Sequence, residues 1–185
     1  MKLLESVNIC LHVLGEARVT STDTRHPSVD LILSTIATKK KDLLERGWWF
    51  NTSVVRMFPD EAGRIDYPAD SLRIESTDVR KIYTARNGYL YSVLENTSVF
   101  SGPVDLQVST DIDFEDLPEC VANVVTYRTA RAVYVGDLGY DSAVSDIQQN
   151  EQLAWLQMET LHMRNMNYNT RNRRQFIRVI RALDG

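Results

Sequence analysis

The side chains that most often carry catalysis or bind metals are few and scattered in this sequence. His12, His26 and His162 stand alone, and none belongs to a His-Glu-x-x-His metal motif. Cys10 and Cys120 lack zinc-ligand spacing and fall in helical patterns, which predicts two reduced, buried thiols in a cytosolic setting. There is no phosphate-binding glycine loop and no glycine–serine nucleophile elbow. The sequence therefore predicts no catalytic centre, no metal site and no cofactor.

An acidic run at residues 111–116 has the composition of a calcium loop. An EF-hand loop beginning at Asp111 needs glycine at its sixth position and glutamate at its twelfth, where this chain has Asp116 and an alanine. A helix start explains the run better, because Asp116 and Glu119 fit a capping-box-like pair and Pro118 falls in the first turn. We therefore expect a helix-start motif at Asp116, Pro118 and Glu119.

The remaining charged groups of interest lie on predicted helices. Arg128 and Arg131 are expected to pair with Asp or Glu in a partly buried network, a structural role that we favour over catalysis. The run of lysines at residues 39–41 is expected to make up much of the exposed side of the second helix, although contact with nucleic acid is an alternative.

Composition and charge indicate a globular chain with a distinct C-terminal end. The chain has 185 residues, of which 43% are hydrophobic and 25% charged, so it suits one domain or one domain with an insertion. No run of 18 apolar residues predicts a membrane span, and no secretory signal is recognised. The formal net charge of −4 is uneven, because residues 167–185 carry +4 and the rest carries −8. The tail has one acid, Asp184, against Arg171, Arg173, Arg174, Arg178 and Arg181.

Hydrophobic periodicity divides the chain into helical, β and helical parts. Helical spacing predicts a first helix before Gly15 and a second that begins with Pro27. Short alternating runs follow, and Asn87-Gly88 supplies the two residues of a tight hairpin turn. The third helix is expected to end at Gly136. The fourth is expected from about Asp141 to Arg164, with an inward face of Val144, Ile147, Ala154, Trp155, Met158 and Leu161.

These patterns predict an α+β fold: a bundle of about four helices that carries a small inserted antiparallel β domain. The predicted bundle comprises residues 1–46 and 115–166, and the insertion comprises residues 47–114. Residues 167–185 are expected to form a basic amphipathic tail or helix. On a helical wheel, four of its arginines share one face and its apolar residues lie broadly opposite. These two sets are Arg171, Arg174, Arg178 and Arg181, against Phe176, Val179, Ile180 and Leu183.

The sharpest change of pattern in the chain is the corner between the second helix and the β part. Gly47 follows the last periodic turn, which is a typical helix-stop position. Trp48 then begins a β-like segment that extends to Phe58. We interpret the corner as a core feature in which aromatic area pins the helical layer to the sheet. Its residues are Arg46, Gly47, Trp48, Phe50 and Asn51.

The order of several short motifs resembles the tail tubular protein A family, the head-to-tail adaptors of short-tailed bacteriophages. The resemblance spans residues 7–169, and each motif alone is weakly specific. The N-terminal motifs are Val7-Asn8, Leu14-Gly15-Glu16, Arg46-Gly47-Trp48 and Phe50-Asn51. The later ones are Tyr67-Pro68, Asp70 with Leu72, Asn87-Gly88-Tyr89-Leu90-Tyr91, the segment from Asp113 to Cys120, and Ala130-Arg131. The Arg-rich end has no counterpart in this pattern.

The resemblance implies a non-enzymatic virion protein of the phage tail, assembled in the host bacterial cytoplasm. Members form a ring, expected to be a dodecamer, between the portal protein and the tail nozzle protein, tail tubular protein B. The tail fibre attaches around this junction. Genomic DNA passes through the central channel without sequence-specific binding, and no membrane is involved. The fold that the resemblance implies, a helical bundle with a β domain, agrees with the periodicity.

Two other classes of function remain open at the level of sequence. One is a nucleic-acid-binding or other small interaction module that uses the Arg-rich C-terminal helix, and the other is a small enzyme with an unrecognised site. The acidic body argues against a DNA-binding module, which usually has a basic domain. For the tail itself, we expect portal or inter-subunit contact through Arg171, Arg174, Arg178, Arg181, Phe176 and Ile180.

Overall fold

The computed structural model describes residues 1–166, and within them two helices precede five strands and two further helices follow. The predicted α+β class is confirmed. The helices are α1 (Leu3–Val13), α2 (Pro27–Leu44), α3 (Glu119–Leu138) and α4 (Ser142–Asn165), with a 3-10 turn at Phe114–Asp116. The strands are β1 (Thr52–Met57), β2 (Ser71–Ser76), β3 (Tyr83–Arg86), β4 (Tyr89–Ser92) and β5 (Val104–Thr110).

Helix α3 is the centre of the helical bundle formed by α1–α4, because it packs against each of the other three. Its buried side chains occupy more than one face, which three neighbours require. Helix α2 begins with Pro27 at its first position, as predicted, where the missing amide costs little. Helix α4 begins at Ser142, and the Asp141 carboxylate accepts from the Ala143 N–H at 2.9 Å.

The ends of α3 differ from the prediction at both termini. Asp116 lies in the 3-10 turn, so it does not cap α3, and no side chain caps the helix start. Pro118 is the N-cap residue, and its carbonyl accepts from the N–H groups of Val121 and Ala122, one turn further along the chain. At the other end, α3 continues through Gly136 and ends before Gly139, whose φ of 84° favours glycine.

The strands form two small antiparallel sheets. The three-stranded sheet has the order β1-β5-β2, and a separate hairpin pairs β3 with β4. The hairpin turn is the predicted one, since Asn87 and Gly88 have φ angles of 52° and 81°. Strand β5 buries Val104, Leu106 and Val108 in alternation, which confirms its predicted single wet face for most of its length.

Strand β1 is one edge of the three-stranded sheet. Val54 is 68% exposed and Val55 is 40% exposed, although both belong to the strand. Arg56 bridges to Asp105 on β5 by two hydrogen bonds, from Nε at 2.7 Å and from Nη2 at 2.8 Å. The hydrogen-bonded Asp105 carboxylate raises the pKa of Arg56, and the Arg56 guanidinium lowers the pKa of the Asp105 carboxyl. The edge therefore carries both apolar area and a charged pair.

Buried side chains fall into two clusters. The first joins all four helices of the bundle and includes Trp48 from the corner, with Phe114 and Leu117 from the segment before α3. The second lies among the strands and the loops between them. It consists of Ile65, Leu90, Phe100, Val104, Leu106 and Val108.

No helix in the described part of the chain combines the length and apolarity needed to cross a membrane. The predictions for Arg171, Arg174, Phe176, Arg178, Ile180 and Arg181 lie outside the described residues.

Candidate functional site

The corner after α2 is held by the side chain of Asn51, which is 3% exposed. Its Oδ1 accepts from the Trp48 N–H at 2.7 Å. Its Nδ2 donates to the carbonyls of Leu44 and Thr110 at 2.9 Å and 3.0 Å. One buried amide thus joins the end of α2, the corner and the end of β5. The predicted strand start at Trp48 is wrong, because Asn51 folds residues 48–51 into a turn and β1 begins at Thr52.

Gly47 is required at this corner for two reasons. Its φ is 77°, a left-handed conformation that residues with a Cβ rarely adopt. A Cβ at this position would also lie 2.8 Å from the Ser109 hydroxyl on β5. Helix α2 ends at Leu44, and the Gly47 N–H donates to the Leu44 carbonyl at 3.1 Å. The helix-stop prediction for this glycine is therefore confirmed.

Trp48 connects the corner to α4. Its indole is buried, with 7% exposed, and its Nε1 donates to the Leu43 carbonyl at 2.8 Å. The ring meets Trp155 edge to face at a centroid distance of 5.6 Å and meets His162 at 5.0 Å. Burial lowers the pKa of His162, and Glu159 opposes that shift. The interpretation of Trp48 as a core residue is confirmed.

Two guanidinium groups lie over the indole ring of Trp155. Arg128 lies 4.8 Å and Arg46 lies 5.5 Å from the centroid of the indole. Both distances fit cation–π contacts. Arg46 belongs to the corner and Arg128 to α3, so this indole on α4 brings together three parts of the bundle.

A charged cavity, here called the basic groove, lies beside this indole between α2, α3 and α4. It has a volume of about 490 Å3. At its base Glu151 accepts from Arg128 Nε at 3.0 Å and lies 3.0 Å from Arg131 Nε. The Glu151 side chain is only 11% exposed. The groove is lined by Lys39, Asp42, Arg46, Arg128, Arg131, Ala132, Val135, Tyr140 and Glu151.

This arrangement confirms the predicted partly buried network of Arg128 and Arg131. Its acid, Glu151, was not predicted from the sequence, and Trp155 was predicted only as an inward-facing residue of α4. A signal was present, because Glu151 falls within the inward face of α4 between Ile147 and Ala154. A carboxylate in an apolar stripe indicates a buried partner. With four cations and two carboxylates on its walls, the groove suits acidic groups of a partner.

The outer face of α4 carries a second apolar stripe. Leu153, Leu156 and Met163 are 54%, 58% and 54% exposed. On a helical wheel they lie roughly 180° from the centre of the buried face. Leu156 also lines a smaller cavity of about 400 Å3 together with Arg128 and Trp155, so the stripe adjoins the basic groove. Leu161, predicted to face inward, is 37% exposed because it lies at the margin of that face.

Lys40 corrects the interpretation of the lysine run. Its ammonium lies 2.8 Å from Asp111 and donates to the Ile112 carbonyl at 2.6 Å, and its side chain is 13% exposed. It therefore ties α2 to the chain that leaves β5, while Lys39 lines the basic groove. The lysines do not form one solvated face.

The thiols of the chain are buried, as predicted. Burial raises the pKa of Cys10 to about 12, so this thiol stays protonated at neutral pH and is a poor nucleophile. Among residues 1–166, no cluster of His, Cys, Asp and Glu is arranged to hold a metal ion.

Comparison with known proteins gives the family. A family model described as "Tail tubular protein" matches residues 4–169. The chain is also 35% identical over 182 residues to "Tail tubular protein A" of Klebsiella phage KP34, an alignment that covers 98% of each chain. The chain belongs to the tail tubular protein family. As a tail tubular protein, it is a structural component of the phage virion tail and not an enzyme.

The matches cover the corner and the basic groove of this tail tubular protein, and they differ at its Arg-rich end. The family model covers the corner and every residue that lines the basic groove. The alignment with the Klebsiella phage KP34 protein leaves out about 2% of this chain, so it includes most of residues 167–185. The family model ends at residue 169, so the Arg-rich end lies outside the family pattern, as expected.

Proposed function

We propose that this tail tubular protein is a head-to-tail adaptor. In this function, twelve copies form a ring between the portal protein and the tail nozzle protein, tail tubular protein B, and the tail fibre attaches around the junction. The single observation that carries the proposal is the family match across nearly the whole chain. Assembly takes place in the host bacterial cytoplasm before the protein becomes part of the virion.

The charge of the chain supports a channel role. Residues outside the Arg-rich end carry a formal charge of −8. Affinity for DNA derives largely from Lys and Arg that neutralise phosphates and release counterions. An acidic wall makes few such contacts, so genomic DNA slides through the ring without sequence-specific binding.

The surface of α4 supports a role in binding other proteins. A surface stripe of three large apolar side chains beside a groove with six charged ones combines the features of a protein interface. In a free monomer the stripe would stay in water. We infer that assembly covers it.

The test is assembly on the portal. The purified protein is mixed with its portal, and the complex is imaged by electron microscopy and weighed by native mass spectrometry. The expected result is one ring of twelve copies on one face of the portal, to which the nozzle protein then binds. A monomer without the portal is compatible with this function. Failure to join the portal under conditions in which the nozzle protein and portal are intact would contradict it.

The Arg-rich end has its own proposed part in this assembly. We propose that Arg171, Arg174, Arg178 and Arg181, with Phe176 and Ile180, dock on an acidic groove of the portal or of a neighbouring subunit. The motivation is the basic amphipathic pattern of the sequence. Deletion of residues 170–185 is expected to leave the monomer folded and to weaken portal binding.

A charge series separates this contact from nucleic-acid binding. Changing the four same-face arginines to glutamate should weaken portal binding most at low salt, where charges are least screened. The matched control changes the same four to lysine and should retain most of the binding. Unchanged portal binding in the glutamate variant would refute this contact. Loss of DNA affinity alone would favour the nucleic-acid-binding alternative.

A further inference from the structure

The basic groove is an exception on the surface of an acidic body. It carries Lys39, Arg46, Arg128 and Arg131 against Asp42 and Glu151. Glu151 forms ion pairs with Arg128 and Arg131. Lys39 forms no ion pair with another described residue. A local surplus of positive charge in a body of −8 selects for an acidic partner surface.

An acidic surface of suitable size is present on the same chain. Asp113, Glu115 and Asp116 are exposed and form no ion pair within residues 1–166, whereas Asp111 is paired with Lys40. The 3-10 turn at Phe114–Asp116 and the buried side chain of Phe114 fix this stretch to the bundle. Residues 113–116, here called the acidic segment, are therefore a rigid group of three carboxylates that lacks cations.

The groove and the acidic segment lie on opposite flanks of α2. The groove is lined by Lys39 and Asp42 of this helix and by Arg46, two residues after its end. The side of the acidic segment is marked by Lys40, which contacts Asp111, and by Lys41, which with Asp113 lines a separate cavity. At 100° per residue the mean directions of these two sets differ by roughly 180°. One copy thus cannot place its own acidic segment in its own groove.

We propose that neighbouring subunits of the ring join head to tail, with the acidic segment of one copy seated in the basic groove of the next. A contact between two different, complementary surfaces joins copies head to tail. Such a chain of copies forms a closed ring when the rotation from each copy to the next adds up to one full turn. The apolar stripe of α4 adjoins the groove through Leu156, so the same contact covers it. This proposal rests on the proposed ring.

The Arg-rich end of the chain is a poor occupant for the groove. It carries a formal charge of +4, so the surplus positive charge of the groove would repel it. The acidic segment of a second copy has the opposite charge and is present in every subunit. A second copy is therefore the occupant that the charges favour.

The proposal is tested by thiol cross-linking in assembled rings, either on the portal or in purified phage particles. A chain with Lys39→Cys and Glu115→Cys is treated with a short bismaleimide. The native cysteines are buried, so the engineered thiols are the ones that react. The expected product is a ladder of covalent oligomers that rises by one subunit at a time.

Three controls give every outcome a meaning. Lys39→Cys alone and Glu115→Cys alone should give no ladder and no dimer, because a head-to-tail contact never places the same residue of two copies together. Lys39→Cys with Glu95→Cys, an exposed position in the loop after β4, should also give no ladder. Dimers from a single-cysteine chain, or equal ladders from the control pair, would overturn the proposed contact.

A charge exchange provides the second readout. Lys39→Glu should reduce ring yield several-fold, Glu115→Lys should do the same, and the chain with both changes should recover most of the wild-type yield. A ring that forms with no ladder and no charge rescue contradicts the head-to-tail contact and leaves the adaptor function standing. Absence of any ring on an intact portal contradicts the adaptor function itself.

Discussion

The helical bundle and the strand region at residues 52–110 bury their side chains in different ways. In the bundle, every helix contributes to one cluster that extends from α1 to the inner face of α4. The strand region instead has a small cluster of six side chains, and its β1 edge leaves Val54 and Val55 in solvent. The bundle thus closes its own core, whereas the strand region has little buried area from which to gain stability.

Because of this difference, the contacts at the junction between the two regions matter most for the stability of the strand region. Asn51, Trp48 and Lys40 bond the end of α2 to the corner and to the chain after β5. We expect the strand region to depend on these few contacts more than the bundle does. Changes at the junction should therefore separate the two regions, and the following predictions run from the largest expected effect to the smallest.

Trp48→Ala is expected to destabilise the bundle by about 3–5 kcal/mol, the usual cost of removing a buried aromatic side chain. The change removes the ring that packs on Trp155 and His162 and the hydrogen bond to the Leu43 carbonyl. The free energy of unfolding from urea denaturation measures it. Trp48→Phe is the matched control and should cost less. A midpoint that did not move would place this indole on a partner-facing surface instead.

Asn51→Ala is expected to cost about 1–3 kcal/mol, because it removes the acceptor of the buried Trp48 N–H and the two bonds donated to the Leu44 and Thr110 carbonyls. Hydrogen exchange should show faster opening of amides in β1 and β5 than in α3. Asn51→Asp keeps an acceptor for the Trp48 N–H but sets a buried carboxylate oxygen against the two carbonyls, so it should cost at least as much. Equal loss of protection in α3 and β5 would mean that the two regions unfold as one unit.

Lys40→Met is expected to cost about 1–2 kcal/mol, since it removes a charged hydrogen bond and a partly shielded ion pair. Lys39→Met, at the neighbouring position, is the control and should change monomer stability by less than about 0.5 kcal/mol. Thermal unfolding of the monomer compares the two. If both variants lost the same stability, Lys40 would not be a specific tie between α2 and the end of β5.

His162 predicts a small pH dependence of bundle stability. Its pKa in the folded chain is lowered by burial, so below the ordinary value of about 6.5 the unfolded chain binds more protons. Stability is therefore expected to fall as pH decreases below that value. His162→Gln should flatten this part of the profile, and the exposed His12→Gln should leave it unchanged. A profile that keeps the same slope in both variants would assign the effect to other groups.

The sequence predicted the long elements well because each depends on a local signal. The period of α4, the proline at the start of α2 and the Asn87-Gly88 turn were all confirmed. The start of β1 was wrong because aromatic residues favour strands, while the Asn51 side chain that folds the corner also bonds to Thr110, which is distant in sequence. The cap of α3 was wrong because Asp116 is used in a separate turn.

The surface features depended on tertiary contacts that no periodicity encodes. Arg128 and Arg131 were expected to have an acidic partner, but only the packing of α3 on α4 identifies Glu151. Lys39 and Lys40 are neighbours in the same lysine run, so their local sequence does not distinguish them. Lys40 is the shielded one because the chain leaving β5 places Asp111 beside it, while Lys39 lines the groove. Helical wheels within one element therefore locate faces but not their partners.

The β1 edge has a consequence for solubility at high local concentration. An edge strand with unpaired backbone groups and exposed valines is a template on which another chain can extend the sheet without limit. In the proposed ring, many copies gather at one site and meet that hazard more often than a solitary chain would. The Arg56–Asp105 pair places charge near one end of this edge strand. Charge on an edge strand opposes such edge-to-edge pairing.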